Sequence, residues 1–310
     1  MNAVDLNMRT GIDLFAGMGG FSEGATAAGI NVLWAANHWP EAVQIHSRNH
    51  PGAEHLIQDL HQADWTQVPA HDVLMASPAC QGHSKARGRE RPHHDASRST
   101  AWAVVSAAEM HRPPVLVVEN VPEFADWMLY PAWEAALQAL GYQLAHHVLD
   151  AADHGVPQHR VRLFIVATRS KSPLHLSLPR REHVPASSII NLSAGRWSLV
   201  EKPGRAASTL ERVTAGRAEH GDTFLISYYG NTRNGRPLTR PVGTITTRDR
   251  HAIVHGDRMR MLSAQECRAA MGFRADYELP KRHRDAVFML GNAVCPPVAT
   301  DVLNAVRAQA

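Results

Sequence analysis

An α/β fold, with a mostly parallel sheet covered by helices on both faces, is predicted by three features of this sequence. Short apolar runs alternate with helix-like stretches from Thr10 to Thr168. The first of these runs ends in Gly17-Met18-Gly19-Gly20. Val115-Leu116-Val117-Val118 is apolar without a break, as a strand buried on both faces requires.

The elements follow in order. Thr10 to Ala16 reads as a strand, and the glycines turn it into a helix beginning near Phe21. Glycines at that turn let the backbone approach a ligand closely and leave the helix N-terminus open toward it. A strand over Asn31 to Ala36, a helix over about Pro40 to Asn49 and a strand near Glu54 to Ile57 come next. Val73 to Ala76 is another strand, and a helix from about Thr100 to Met110 leads into the Val115 run. A helix near Pro131 to Leu140 and strands over Gln143 to Leu149 and Val161 to Thr168 complete the series. A nicotinamide-binding domain is the competing reading of the glycines. Its third glycine would fall at Ser22, and Asn37-His38 stand where its acid belongs.

The chain has 310 residues, 44% hydrophobic and 20% charged, which suits a globular protein of one or two domains. No apolar run approaches membrane-spanning length, and the first residues lack the basic-then-apolar pattern of a secretory signal. A cytoplasmic location and no membrane partner are expected. Cys80, Cys267 and Cys295 lie far apart, which argues against a disulfide framework or a zinc site, so no metal is expected. The net charge of +3 hides an asymmetry: residues 170–260 hold 15 Lys and Arg against 7 Asp and Glu, a net of +8, and the remainder carries −5. A basic segment on an acidic body suggests a polyanionic partner; a solvated Arg-rich loop region is the alternative.

Ser77-Pro78-Ala79-Cys80-Gln81-Gly82-His83-Ser84 follows the apolar run Asp72 to Ala76. A cysteine on the loop beyond a strand end stands where α/β proteins place their chemistry, although free cysteines are often buried and inert. Four further segments decide the matter. Asp13-Leu14-Phe15-Ala16-Gly17-Met18-Gly19-Gly20, Cys80 to Ser84, Glu119-Asn120-Val121, Gln158-His159-Arg160-Val161-Arg162, and Gly291-Asn292-Ala293-Val294 with Pro296-Pro297 resemble, in order, five motifs of the DNA cytosine-5 methyltransferase family. The resemblance runs over nearly the whole chain.

It implies an S-adenosylmethionine-dependent, Rossmann-like methyltransferase fold with a small irregular or β target-recognition domain. Residues 1–170 and 256–310 would form the catalytic domain and 171–255 the recognition domain. The implied reaction is methyl transfer to C5 of a cytosine flipped out of a specific duplex DNA sequence. Cys80 would be the nucleophile at C6, Glu119 the donor near N3, with Arg160 and Arg162 supporting the site. Asp13, Phe15, Ala16, Gly17, Gly19, Gly20, His38, Trp39, Asp59, Leu60, Pro78, Asn292, Ala293 and Val294 would hold the cofactor, released as S-adenosylhomocysteine. Ser84, Lys85, Arg87, Gln158, Arg233, Arg236, Arg240, Thr244, Ile245 and Arg248 would meet DNA. Arg260 to Phe273 resembles a packing helix, with capping-box spacing at Ser263 and Glu266.

The resemblance further implies a monomer associated with the nucleoid, possibly accompanied by a cognate restriction endonuclease. Two rivals remain open: the same chemistry on tRNA, and a non-catalytic DNA-binding relative. Two departures from the family pattern stand out. Ala79 precedes the cysteine where the family has proline, and His38 stands where it has a ribose-binding acid.

Overall fold

The computed structural model describes residues 8–78, 100–228 and 234–309. Cys80, Ser84, Lys85, Arg87 and Arg233, all named above, lie outside them. Two compact units form: Met1–Asp150 with Val161–Pro179 and Ala293–Ala310, and Ala151–Arg160 with Arg180–Asn292.

The first unit is built on seven strands: β1 (Thr10–Leu14), β2 (Asn31–Asn37), β3 (Glu54–Ile57), β4 (Val73–Ala76), β5 (Val115–Asn120), β6 (Gln143–Asp150) and β7 (Val161–Thr168). They lie in the order β3-β2-β1-β4-β5-β7-β6. All neighbours pair in parallel from β3 to β5, while β7 runs antiparallel to both β5 and β6. Every residue of β4 and β5 is buried, which is why both segments read as unbroken apolar runs. Helices α1 (Gly20–Ala27), α2 (Pro40–Asn49), α3 (Trp102–His111) and α4 (Tyr130–Ala139) connect the strands. Leu74, Ala76, Leu116 and Val118 alternate onto one face and pack with Val104 and Ala107 of α3 and Trp133 of α4. The first strand stops at Leu14, not Ala16, because Phe15 takes a left-handed φ of 60° and begins the glycine loop.

The second unit carries strands β8 (Ser198–Leu199), β9 (Thr223–Ser227), β10 (Arg236–Pro237), β11 (His251–His255) and β12 (Arg258–Met261). They form one sheet, β10-β9-β11-β12-β8, in which every pairing is antiparallel. Helix α5 (Ala207–His220) covers it over Val213, Phe224, Ile226, Val254 and Met259. Two shorter helices follow, α6 (Ala264–Ala270) and α7 (His283–Asn292). The helix within Arg260 to Phe273 starts where the capping-box spacing places it, with Ser263 opening α6 by a complete capping box to Glu266, while Arg260 itself pairs with Ile253 in a β-hairpin. Residues 256–292, grouped with the catalytic part in the sequence reading, cluster here with unit two.

Helix α8 (Pro296–Arg307) returns to the first unit, with proline at its start where no backbone donor is needed. It packs on α1 at glycine: a Cβ at Gly24 would stand 2.6 Å from the Ala299 Cβ, and one at Gly20 would stand 2.2 Å from the Val294 carbonyl oxygen. The stretch His283–Arg307 is long and apolar enough to span a bilayer, but 72% of its most apolar window is buried in the protein, as in a core helix.

Candidate active site

The glycine loop is shaped by one buried carboxylate. Asp13, fully buried at the end of β1, accepts from Ser22 through the backbone NH at 3.1 Å and the hydroxyl at 2.7 Å. That pairing ties the strand end to the first turn of α1 and closes Phe15 to Gly20 into a tight loop. Gly17 and Gly19 take φ of 55° and 97°, conformations that cost other residues energy. A Cβ at Gly17 would meet nothing closer than the Phe15 carbonyl at 3.9 Å, so the loop leaves room there for another group. Asp13 Oδ1 is buried without a hydrogen-bond partner among the described residues.

A small recess lies beside this loop, lined by Ala16, Gly17, Ala35, Ala36, Asn37, Val43, His46 and His55. It sits where β1 and β2 end, the place at which open α/β sheets bind ligands. Asn37 lines it, and its side chain accepts from the Trp39 NH at 2.9 Å, which turns the chain after β2. His38 is exposed and not among the lining residues. Asp59 is exposed and caps a short 3-10 turn by accepting from the His61 NH at 3.1 Å; Leu60 beside it is buried. At the other end of the chain Asn292 is exposed, while Ala293 and Val294 are buried.

A second group of side chains gathers at the end of β5. Glu119 is 6% exposed, and its carboxylate receives the Arg162 Nε of the neighbouring strand β7 at 3.1 Å. Asn120 donates its side-chain amide to the Pro78 carbonyl at 3.1 Å and accepts from the Val121 NH at 2.9 Å. The loop after β4 and the loop after β5 are therefore joined within the first unit.

In the second unit, residues 242–251 form a loop held at several backbone polar groups by buried side chains. Gln158 accepts from the Ile245 NH at 2.6 Å and donates to the Ala270 carbonyl at 3.0 Å. Arg160 donates to the carbonyls of Ile245 at 3.1 Å and Gly291 at 3.0 Å. Thr244 donates its hydroxyl to the His159 carbonyl at 2.8 Å. His251 bonds the Thr244 carbonyl through Nε2 at 3.1 Å and the Ser227 hydroxyl through Nδ1 at 3.0 Å. A carbonyl only accepts, so Nε2 carries the proton and Nδ1 accepts, fixing the neutral tautomer. Burial lowers the His251 pKa, with the Arg236 charge acting the same way against a bond to Thr244 that raises it.

This geometry revises one expectation. Gln158, expected at DNA, is fully buried and spends its amide holding the loop. Arg160 is 3% exposed and bonds the same loop. Arg236 is half-buried on the Pro241 carbonyl at 2.9 Å, whereas Arg240 and Arg248 are exposed.

The family of C-5 cytosine-specific DNA methylases matches residues 9–308. The chain belongs to that family. Among its relatives, the type II methyltransferase M.MspI of Moraxella sp is 26% identical over 94% of this chain and 68% of its own length. M.MthTI of Methanothermobacter thermautotrophicus is 26% identical over 94% of this chain and 95% of its own. The type II methylase M.HgiEI of Herpetosiphon aurantiacus is 32% identical, over 72% of this chain and 53% of its own. Solved structures share the fold: S. pombe Dnmt2 methyltransferase superposes with a TM-score of 0.71 at 16% identity over 97% of this chain and 98% of its own. Entamoeba histolytica methyltransferase EhMeth gives 0.68 at 17%, over 98% and 99%. As a C-5 cytosine-specific DNA methylase the protein is an S-adenosylmethionine-dependent enzyme, and the glycine loop fits that cofactor: it leaves space at Gly17 and an unpartnered buried acceptor at Asp13.

Sequence reasoning did not single out His46, His55 or His251. Their roles depend on partners distant in the chain, and no spacing rule marks them. Ser22 was the one signal, present as a misfit in the nicotinamide pattern.

Proposed function

We propose that this methylase acts at C5 of a flipped-out cytosine in a specific duplex DNA sequence through a covalent bond between Cys80 and C6. The observation that carries the reading is the Asn120–Pro78 bond beside the Glu119–Arg162 pair. Cys80 stands two residues beyond Pro78, and two peptide units span no more than about 7 Å.

A thiolate adding to C6 pushes an electron pair into the ring and makes C5 nucleophilic. Charge develops toward N3, where Glu119, an ion-paired carboxylate in the free protein and protonated once the base is bound, donates; Arg162 holds that carboxyl in place. S-adenosylmethionine, when bound, supplies the electrophilic methyl that C5 accepts; Asp13, Phe15, Gly17 and Gly19 would hold it. Loss of the C5 proton then expels the thiolate and restores the ring, so Cys80 is regenerated.

We assign target choice to residues 171–255, of which 180–255 belong to the second unit, with Thr244 and Ile245 beside the base and Arg240 and Arg248 on DNA. The reading is completed by a monomer working alongside a restriction endonuclease, the latter in keeping with the relatives' type II names. Duplex DNA carrying 5-fluorocytosine at the target should trap a denaturant-stable adduct with the cofactor present, because fluorine cannot leave as the proton does. Cys80→Ala should give none; an adduct formed by that variant would overturn the assignment. Bisulfite sequencing of a plasmid carried with the gene reads out the recognised sequence.

A further inference from the structure

His251 stands where the loop that carries Thr244 and Ile245 enters β11. Its backbone is fixed from both sides: it lies opposite Ser227 of β9 in the ladder, and its carbonyl accepts from the Leu262 NH at 3.1 Å. The residue is 4% exposed. From that base the ring joins two elements, accepting from the Ser227 hydroxyl at 3.0 Å and donating to the Thr244 carbonyl at 3.1 Å. Thr244 is therefore held from two directions. The stretch 157–160 takes its hydroxyl on the His159 carbonyl and its neighbour Ile245 on Gln158 and Arg160. The sheet takes its carbonyl on His251.

Each link in this path has a direction. While the Ser227 hydroxyl donates to Nδ1, the ring's one proton stays on Nε2, the atom that meets Thr244. Without that donor the two neutral tautomers compete, and the one protonated at Nδ1 sets a bare nitrogen against a carbonyl oxygen, acceptor against acceptor. Ser227 also ends β9, and the pairing with the loop continues one step beyond it. There the Tyr228 NH donates to the Arg250 carbonyl at 2.7 Å, and the Arg250 guanidinium donates to the Tyr228 carbonyl at 3.3 Å. The end of β9 and the start of β11 thus form one rigid base, from which the imidazole reaches the loop.

We propose that His251 is a positioning residue for the target base: set in one tautomer by Ser227, it fixes the Thr244 carbonyl and with it the face of the loop that receives the flipped cytosine. The proposal rests on the reading of Thr244 and Ile245 as the residues beside the base. A flipped base has lost its stacking partners and is held by what it meets outside the helix. Where that wall stands decides how long the base stays out and how it is presented, and a misplacement of about 1 Å can cost on the order of a hundredfold in rate. In this role His251 acts through Thr244 and touches neither base nor cofactor.

Three variants of the full chain separate positioning from packing. His251→Asn keeps an acceptor for Ser227 near the Nδ1 position and falls short of Thr244, whereas His251→Gln places an amide nitrogen near the Nε2 position and keeps the Thr244 bond. Ser227→Ala leaves the imidazole in place and removes what selects its tautomer. The readouts are single-turnover methylation of the sequence mapped by bisulfite analysis, and brightening of 2-aminopurine placed at the target. His251→Asn should lower both on the order of tenfold, with binding of scrambled duplex and of S-adenosylhomocysteine nearly unchanged. His251→Gln should retain most of both at a comparable urea midpoint. Ser227→Ala should fall between them, and its histidine ring 15N shifts should show mixed tautomers where the wild type shows protonated Nε2 alone. Wild-type behaviour in His251→Asn, or equal losses in His251→Asn and His251→Gln, would overturn the proposal. Should neither folded variant be obtained, Ser227→Ala decides: an unchanged rate overturns the proposal, as does a tautomer still confined to Nε2. Absence of brightening with the wild-type protein would overturn the reading of the base site, and the proposal with it, whereas brightening that His251→Asn leaves intact overturns the proposal alone.

Discussion

Glu266 shows how much of this fold hangs on single buried charges. Its carboxylate takes both Arg260 amino groups at 2.7 Å, the Ser263 NH at 2.7 Å and the Asn191 NH at 2.9 Å, and the Arg260 guanidinium stacks 5.0 Å from the Trp197 ring. Burial alone would raise the Glu266 pKa, but the bonds from Arg260, Ser263 and Asn191 outweigh it and hold the group low. Removing one partner strands the other, so Arg260→Met should cost about 3–5 kcal/mol in urea unfolding, and adding Glu266→Met should recover part of it. A second buried group responds to pH in a different window. Burial, with His111 adding, pushes the His71 pKa down to about 4, despite a bond from the Pro69 carbonyl that raises it. An unfolded histidine takes its proton near pH 6.5 and the folded one only near 4, so the unfolded state binds more protons throughout that interval. Stability is full above pH 6.5 and falls as pH drops toward 4, by roughly 3 kcal/mol at most. Urea midpoints measured across that range should fall less steeply in His71→Gln; an identical slope would remove His71 from the account.

Elements differ in how openly the sequence declares them. Strands β4 and β5 are buried on both faces and read directly as apolar runs, and Ser263 and Glu266 mark the start of α6 by spacing alone. Arg258–Met261 escapes such reading because its register is imposed by β11. The loop 242–251 is harder still. Thr244-Ile245 could be recognised by resemblance, but the side chains that fix it come from Gln158, Arg160 and His251, and only the fold brings these together. Gly291 of α7 completes the grip: a Cβ there would stand 2.3 Å from the Thr246 carbonyl carbon and 2.4 Å from the Thr247 nitrogen, both backbone atoms that cannot yield without moving the loop. Gly291→Ala should therefore displace the loop, with a stability loss of about 1–3 kcal/mol, the usual range for overpacking. Because the loop is assigned to the flipped base, 2-aminopurine at the target should brighten less with this variant than with wild type. Full brightening alongside normal stability would mean that the loop tolerates the methyl group and that its grip is loose.

At the scale of the whole molecule, charge separates what chemistry joins. The remainder, to which the reaction is assigned, carries a net of −5, and residues 170–260, at a net of +8, carry the excess positive charge. Not all of those arginines are available to a phosphate backbone. Arg205 bonds the Val200 and Leu199 carbonyls, Arg236 the Pro241 carbonyl, and Arg260 is committed to Glu266. Arg240 and Arg248 are exposed; Arg240 precedes the gripped loop in sequence and Arg248 lies within it. DNA binding driven by released counterions weakens with salt in proportion to the phosphates neutralised, about one unit of log–log slope for each. If both side chains meet phosphates, Arg240→Ala with Arg248→Ala should weaken binding of every sequence alike and reduce the salt slope by about two. If one of them reads a base, its own replacement should instead cost about 1–3 kcal/mol at a single position and leave most of the slope intact. Filter binding on target and scrambled duplexes across a salt series separates these outcomes. A slope and a specificity both unchanged in the double variant would show that the DNA contacts lie elsewhere on the segment.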